Sequence, residues 1–231
     1  MKRFSIVCIF LISNCIGFSQ KFSNIDYSLV ETETKDPHSE FYYPYLTKRL
    51  LKNDTTLTRK EYQYLYFGNV YIKNYNPYGQ SDLEKEFHEI YKNEQYTEAI
   101  PVGKRVLAEN PVNINVTFKM LVCYHILEIR GTARIYAKKY FSMLDAIYNS
   151  GDGKSIETAY VVIKVDDEYQ ILSDLELQSL GQALLMKGPT DRLTIDTKNQ
   201  KKIKGKKKIK ELYFNVNKPF ESLSNLLKDK E

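Results

Sequence analysis

The chain has 231 residues, with 34 Lys or Arg against 29 Asp or Glu and a net charge of +5. That balance excludes a polyelectrolyte that holds nucleic acid by charge alone, and the length suffices to bury roughly 70% of the unfolded surface. Two of the three cysteines, Cys8 and Cys15, fall in an apolar leader, so Cys123 stands alone and neither an internal disulfide nor a cysteine-rich metal site is expected.

The leader comes first. Met1-Lys2-Arg3 is basic, Phe4 to Phe18 is almost wholly apolar or small, and Gly17-Phe18-Ser19 offers small residues before a cut. This is the layout of a secretory signal peptide over 1–19, with Gln20 as the first mature residue. The apolar run is about 15 residues where a membrane span needs about 20, so no transmembrane segment is expected in the mature chain. Lipidation at Cys15, in Leu11-Ile12-Ser13-Asn14-Cys15, is the alternative. Removal of 1–19 takes Lys2 and Arg3 and no acid, which leaves +3. The expected location is periplasmic or extracellular.

After a short lead (Lys21 to Asp36), Ser39 caps a first predicted helix with Phe41, Tyr42, Tyr45, Leu46, Arg49 and Leu50 at three- and four-residue spacing. Thr58-x-x-Glu61 is a capping box that opens a second, with Tyr62, Leu65, Tyr66 and Val70 on one face. Ser81-Asp82-Leu83-Glu84 is a further capping box, followed by Leu83, Phe87, Ile90 and Tyr91 in register. Asn93-Glu94-Gln95 breaks that helix, and a fourth runs from Tyr96 to Glu109 with Ala99, Ile100, Val106 and Leu107 inward. Asn110-Pro111 stops it. A fifth reaches about Ile129, with Phe118, Leu121, Val122, His125 and Ile126 aligned as its stripe and Gly131 as its stop. A sixth covers Thr132 to Asn149, with Tyr136, Tyr140, Phe141, Leu144 and Ile147 among its stripe residues. The spacing and the small residues at Ala99, Ala108, Ala133 and Ala137 predict a helical-hairpin array of tetratricopeptide-like kind over 20–150.

Gly151-Asp152-Gly153 is a composition break, after which the period changes from 3.6 to 2. Thr158 to Val165 reads as a strand, Asp166-Asp167-Glu168 as its turn, and Tyr169-Gln170-Ile171-Leu172 as the return. Ser179 to Met186, Arg192 to Asp196 and Glu211 to Val216 follow as strands, and Pro219 opens a last helix with Phe220, Leu223, Leu226 and Leu227. The predicted class is therefore α+β: helices first, then a small antiparallel meander over 151–231 with a C-terminal helix, packed on the helices as one unit.

Several of these stretches carry a resemblance. Asp54-Thr55-Thr56-Leu57-Thr58, Glu61-Tyr62, Leu65-Tyr66, Gly68 and Tyr75-Asn76-Pro77-Tyr78 occur in order. Ser150-Gly151-Asp152-Gly153-Lys154-Ser155, Asp167-Glu168-Tyr169 and Leu212-Tyr213-Phe214-Asn215-Val216 follow. Together they resemble an uncharacterised domain-of-unknown-function family of small exported bacterial proteins of the Bacteroidota type, over nearly the whole mature chain. The resemblance implies export and this layout, and assigns no activity or catalytic residue.

The chemistry-bearing motifs are few. Gly153-Lys154-Ser155 matches the end of a phosphate-binding loop, but the earlier glycine would fall at Tyr148 and a helix precedes where a strand is required. No His-Glu-x-x-His and no Gly-x-Ser-x-Gly elbow occurs. His125 on an apolar stripe reads as a core or groove residue, with a catalytic base as the alternative. Nine of the 19 tyrosines fall in 41–79, and no tryptophan is present. A flat face with a polar tip suits core lining and ligand contact alike, so Tyr62, Tyr66 and His125 are the candidate ligand-binding residues. Lys198 to Lys210 holds eight lysines in 13 residues. Without arginine forks or stacking aromatics it reads as a solvated hairpin loop rather than a nucleic-acid foot. Lys201, Lys202, Lys204, Lys206, Lys207 and Lys208 are the candidates there for an anionic surface. No metal or cofactor is implied. The expectation is a non-enzymatic scaffold of the cell envelope that binds a protein or peptide, with an envelope hydrolase at the helix–sheet junction as the alternative.

Overall fold

The computed structural model describes residues 25–186, 188–201 and 208–228. The leader, Cys15, Lys202, Lys204, Lys206 and Lys207 lie outside the described residues, as do the side chains of Leu226 and Leu227.

The N-terminal half is helical: α1 (Tyr27–Lys35), α2 (Tyr43–Leu51), α3 (Arg59–Gly68), α4 (Asp82–Lys92), α5 (Tyr96–Glu109), α6 (Ile114–Ile126) and α7 (Arg130–Tyr148). Helix α1 was not expected. Its start is set by Asp26, whose carboxylate accepts from the amides of Ser28 and Leu29 at 3.1 and 3.0 Å. The capping box of α3 forms in full: Glu61 N donates to Thr58 Oγ1 at 3.2 Å and Thr58 N to Glu61 Oε2 at 2.7 Å. Arg49 ties α2 to this start through Asp54 at 2.7 Å and through Glu61. From α4 to α7 each helix packs on the next, and α7 returns against α3. Gly103 makes the α4–α5–α6 approach close, since a Cβ there would lie 2.4 Å from Met120 Sδ and 2.8 Å from Phe87 Cε2. Gly131 does not stop α6 but lies inside α7; the link is turned by Glu128, at φ 58°.

The stripe expected to point inward on α6 points outward instead. Its buried side is Ile114, Val116, Thr117, Met120, Cys123 and Tyr124, whereas Phe118, His125 and Ile126 are exposed and Leu121 and Val122 half-buried. The helix is apolar nearly all round, so periodicity cannot choose the face. Cys123 is fully buried, as expected of an inert thiol, and burial pushes it up to about 11.

After Gly151 the period-2 run yields only a two-residue strand, β1 (Tyr160–Val161), followed by α8 (Asp166–Asp174). The Asp166-Asp167-Glu168 turn and the return strand of the sequence reading are thus corrected: the three acids form the first turn of α8, where they complement the helix dipole. Strands β2 (Ser179–Leu185), β3 (Thr190–Ile195) and β4 (Glu211–Asn215) form as expected, and α9 (Asn217–Lys228) ends the described chain. The sheet order is β1-β4-β3-β2, antiparallel for β2–β3 and β3–β4 but parallel for β1–β4, so it is mixed rather than a meander. The class is α+β.

Two apolar cores result. One joins α1–α3 and α7 to the sheet and α8 through Leu46, Tyr62, Tyr66, Leu144, Ile171 and Phe214, among others; the other fills α4–α7 around Phe87, Val106, Met120 and Tyr136. Among the described residues no helix is long and apolar enough to cross a membrane.

Candidate binding site

Between the two cores lies a polar cleft of about 380 Å³. One wall is the loop after α3, with Asn69, Tyr75 and Asn76; the other is the α5–α6 turn, with Glu109 and Asn110. Ser81, Glu84 and Lys164 close one end, and the floor narrows past Asn113 and Ile163 to Asp167. The walls are loops because the helices stop here. Asn113 caps α6 through Val116 N at 3.0 Å, and a short 3-10 turn (Asn69–Tyr71) ends α3.

Tyr66 lies beneath the floor and holds it from below. It is fully buried, donates from its hydroxyl to Asp167 Oδ2 at 2.7 Å and accepts from Ile163 N at 3.2 Å. Tyr75 donates to the carbonyl of the same Ile163. Burial, followed by the Asp167 charge, pushes the Tyr66 phenol well up. Burial raises Asp167 to about 7, against the lowering effect of the Tyr66 hydrogen bond and of Lys164.

Next in sequence to Asp167 is one member of a carboxylate pair. Glu168, fully buried, and Asp191 on β3 are bridged by Gln182, whose Nε2 donates to Asp191 Oδ2 at 2.6 Å and to Glu168 Oε2 at 3.4 Å. Burial and the neighbouring Asp191 raise Glu168 to about 10, so at neutral pH it is the protonated member. Tyr78 stands near enough for both carboxylates to raise its phenol, after burial.

Glu84 departs from its expected role. Ser81 Oγ accepts from Glu84 N at 3.1 Å, but the Glu84 carboxylate does not complete the capping box; it faces Lys164 at 3.6 Å and His88 at 3.6 Å. Burial raises Glu84, yet His88, Lys164 and Asn113 outweigh it and hold the carboxyl below its usual range. Lys164 also meets Asp166 at 3.3 Å. His88 in turn contacts Lys119 at 3.0 Å. Asn110 Oδ1 is buried without a hydrogen bond, whereas the Asn113 amide lies close enough to the Glu84 carboxyl to lower it. Among the described residues no group of three His, Cys, Asp or Glu is placed to hold a metal ion.

The structure separates the sequence candidates. Tyr66 does not line the cleft but lies beneath it, bonded to Asp167 and Ile163 of the floor. Tyr62, one helical turn earlier, is buried against α7 in the apolar core, with its hydroxyl by Ser142. His125 lies elsewhere, exposed in a shallow groove between α6 and α7. Of the loop lysines, Lys201 pairs with Glu176 and Lys208 donates to the Thr197 carbonyl. The base of that hairpin is closed by Ile209 N on Gln200 Oε1 at 2.9 Å. Sequence reading missed Glu84, Lys164, Asp167, Glu168, Asp191 and Gln182. The available signal was three consecutive acids beside a β-branched run, read as a turn.

A model of the family described as a domain of unknown function (DUF4919) matches residues 28–225. The chain belongs to that family. Comparisons with curated proteins and with solved structures found no match. Three of the stretches that carry the family resemblance, Leu65-Tyr66, Tyr75-Asn76-Pro77-Tyr78 and Asp167-Glu168-Tyr169, meet at this cleft and its floor.

Proposed function

We propose that this DUF4919 protein is an exported, non-enzymatic binding protein of the bacterial envelope, and that the polar cleft holds an extended peptide segment of another protein. The observation that carries the reading is a buried amide oxygen without a partner, Asn110 Oδ1, in a wall that also offers Asn69, Asn74 and Asn76. An unmade buried hydrogen bond costs about 1–3 kcal/mol, and a ligand that makes it recovers that cost. A carboxamide presents donor and acceptor together, which matches the N–H and C=O of an extended chain. Export rests on the basic start, the apolar run and the Gly17-x-Ser19 site. Intact mass of the exported protein tests it, and a chain that keeps residues 1–19, or carries lipid on Cys15, would sink the free periplasmic or extracellular form.

The binding reading is tested by placing a photocrosslinking residue at Asn74, on the exposed rim, and irradiating cells. Adducts to a peptide segment are expected, and they should disappear in Asn110→Leu. Adducts that survive Asn110→Leu would overturn the reading. A second reading, an envelope hydrolase at the helix–sheet junction, draws on one observation: protonated Glu168 beside Asp191 has the form of an acid–base pair. Both carboxyls are buried, which favours the binding reading. Turnover of ester, peptide or glycoside substrates that vanishes in Glu168→Gln would reverse that preference.

A further inference from the structure

The groove between α6 and α7 is separate from the cleft and built on opposite principles. It measures about 570 Å³, and its floor is Leu121, Ile126, Ala133 and Ala137. Phe118 and Phe141 extend it one turn further along each helix, and both rings pack on Tyr140, at 5.1 Å in each case. Phe141 is 56% exposed, Ile126 47% and Phe118 39%. Large apolar side chains on a helix normally face a neighbour. Among the described residues no further helix lies in this groove, and the chain leaves α7 at Ser150 for the sheet. The outer face of a hairpin array is ordinarily polar where it ends; this one is not.

The two ends of the groove differ. At the α6–α7 turn, Arg130 and Arg134 stand one helical turn apart on α7, exposed and without a salt bridge among the described residues; Glu128 and His125 line the same end, which leaves it net cationic. At the far end are the two phenylalanines. From Arg130 to Phe141 is about 16 Å along α7, or three turns. An inter-helix groove of this length fits a third helix, seated by apolar side chains at i, i+3, i+4 and i+7. The cationic end selects the orientation: a helix C-terminus carries the negative end of the macrodipole, and carboxylates there would meet both arginines.

We propose that the α6–α7 groove docks an amphipathic helix of a partner protein, with its apolar face on Leu121, Ile126 and Phe118 and an acidic C-terminal turn on Arg130 and Arg134. This surface is independent of the cleft and does not rest on the peptide reading given to it.

The test uses two synthetic helices of about 14 residues, four turns. Both carry leucines at i, i+3, i+4 and i+7; one has three glutamates in its last turn, the other the same three in its first. Binding to the full mature chain is read by fluorescence anisotropy. The C-terminally acidic peptide is expected to bind more tightly. Its affinity should fall steeply from about 0.05 M to about 0.5 M salt, over which the screening length shrinks about threefold. Arg130→Glu with Arg134→Glu should weaken it more than about tenfold through like-charge contact, with thermal stability unchanged because both side chains are exposed. Phe141→Ser should weaken both peptides. Asn110→Leu, in the cleft, should alter neither. Equal binding of the two peptides, binding indifferent to the arginine reversal, or no binding of either would overturn the proposal.

Discussion

The cleft floor and the α6–α7 groove invert the usual partition of side chains in opposite senses. At the floor, Tyr66, Asp167, Glu168 and Asp191 are ionisable groups taken out of water; at the groove, Phe118, Ile126 and Phe141 are apolar groups left in it. The difference lies in what each side chain is committed to. Tyr66 is held to Asp167 across α3 and α8, and Asp191 to Gln182 across β3 and β2, by short hydrogen bonds, so a change in one partner leaves the other unmatched. The groove residues lean on Tyr140 or on nothing further out, so the folded state should hardly register their loss.

Substitutions on the two sides of a single helix sharpen the contrast most. Met120 faces the interior of α6 and is fully buried, touching the space that Gly103 leaves open. Met120→Ala should destabilise by about 2–5 kcal/mol, the range for a buried methionine lost with its cavity, read as a fall in the urea midpoint. A loss below that range would mean that α6 is free to rotate between its faces.

Next comes the floor. Tyr66→Phe removes the donor to Asp167 and the acceptor for Ile163 N, and should cost about 1–3 kcal/mol for the stranded buried groups. Part of the loss should be recovered below the Asp167 pKa, where the carboxyl is neutral. An unchanged midpoint would show that solvent reaches Asp167.

The carboxyls also predict a pH dependence. Folded-state values of about 10 for Glu168 and about 7 for Asp167 lie above the ordinary 4.5 and 3.8. The folded state therefore holds protons that the unfolded chain releases. Their stabilising contribution is complete below about pH 4 and is lost as pH rises, through 7 for Asp167 and on towards 10 for Glu168. Thermal midpoints measured from pH 5 to pH 9 should fall. Glu168→Gln, which keeps the Gln182 geometry without the charge, should flatten the curve and stabilise at pH 8. A wild-type midpoint that rises over this range would contradict the buried pair.

The smallest expected change is at the groove. Ile126→Ala, at a side chain 47% exposed, should shift stability by no more than about 0.5 kcal/mol, as for other surface positions. A larger effect would mean that Ile126 is already packed within the monomer.

These contrasts also mark what could be read from the chain itself. The helix starts at Thr58 and Ser81 and the breaks at Asn93-Glu94-Gln95 and Asn110-Pro111 were legible, because caps and turns act within a few residues. So were β3 and β4, with alternation and one buried face. Helix α1 was not, because its cap, Asp26, opens a segment with little apolar periodicity. Helix α8 was hidden by Tyr169-Gln170-Ile171-Leu172, which suits a strand equally well until Ile171 and Leu172 find the sheet core. The cleft escaped for the same reason. Glu84 looked like half of a capping box, and only its distance from Lys164, 80 residues on, shows its carboxylate drawn elsewhere. Tyr66 was singled out for its chemistry, but Asp167, 101 residues away, could not be paired with it from spacing.

The place of β4 in the sheet has a consequence for the order of assembly. Residues 211–215 lie between β1 and β3, so Tyr160 and Val161 have no strand to pair with until the chain has grown to its last portion. A nascent chain that stops before Glu211 can form the α4–α7 hairpins, whose contacts are local, but not the sheet that roofs Tyr66 and Asp167. Contacts across so much sequence form slowly relative to helical hairpins. The two cores should therefore ripen at different times, the hairpins during synthesis and the cleft floor only after release, leaving an interval in which the half-made protein already displays its α6–α7 face.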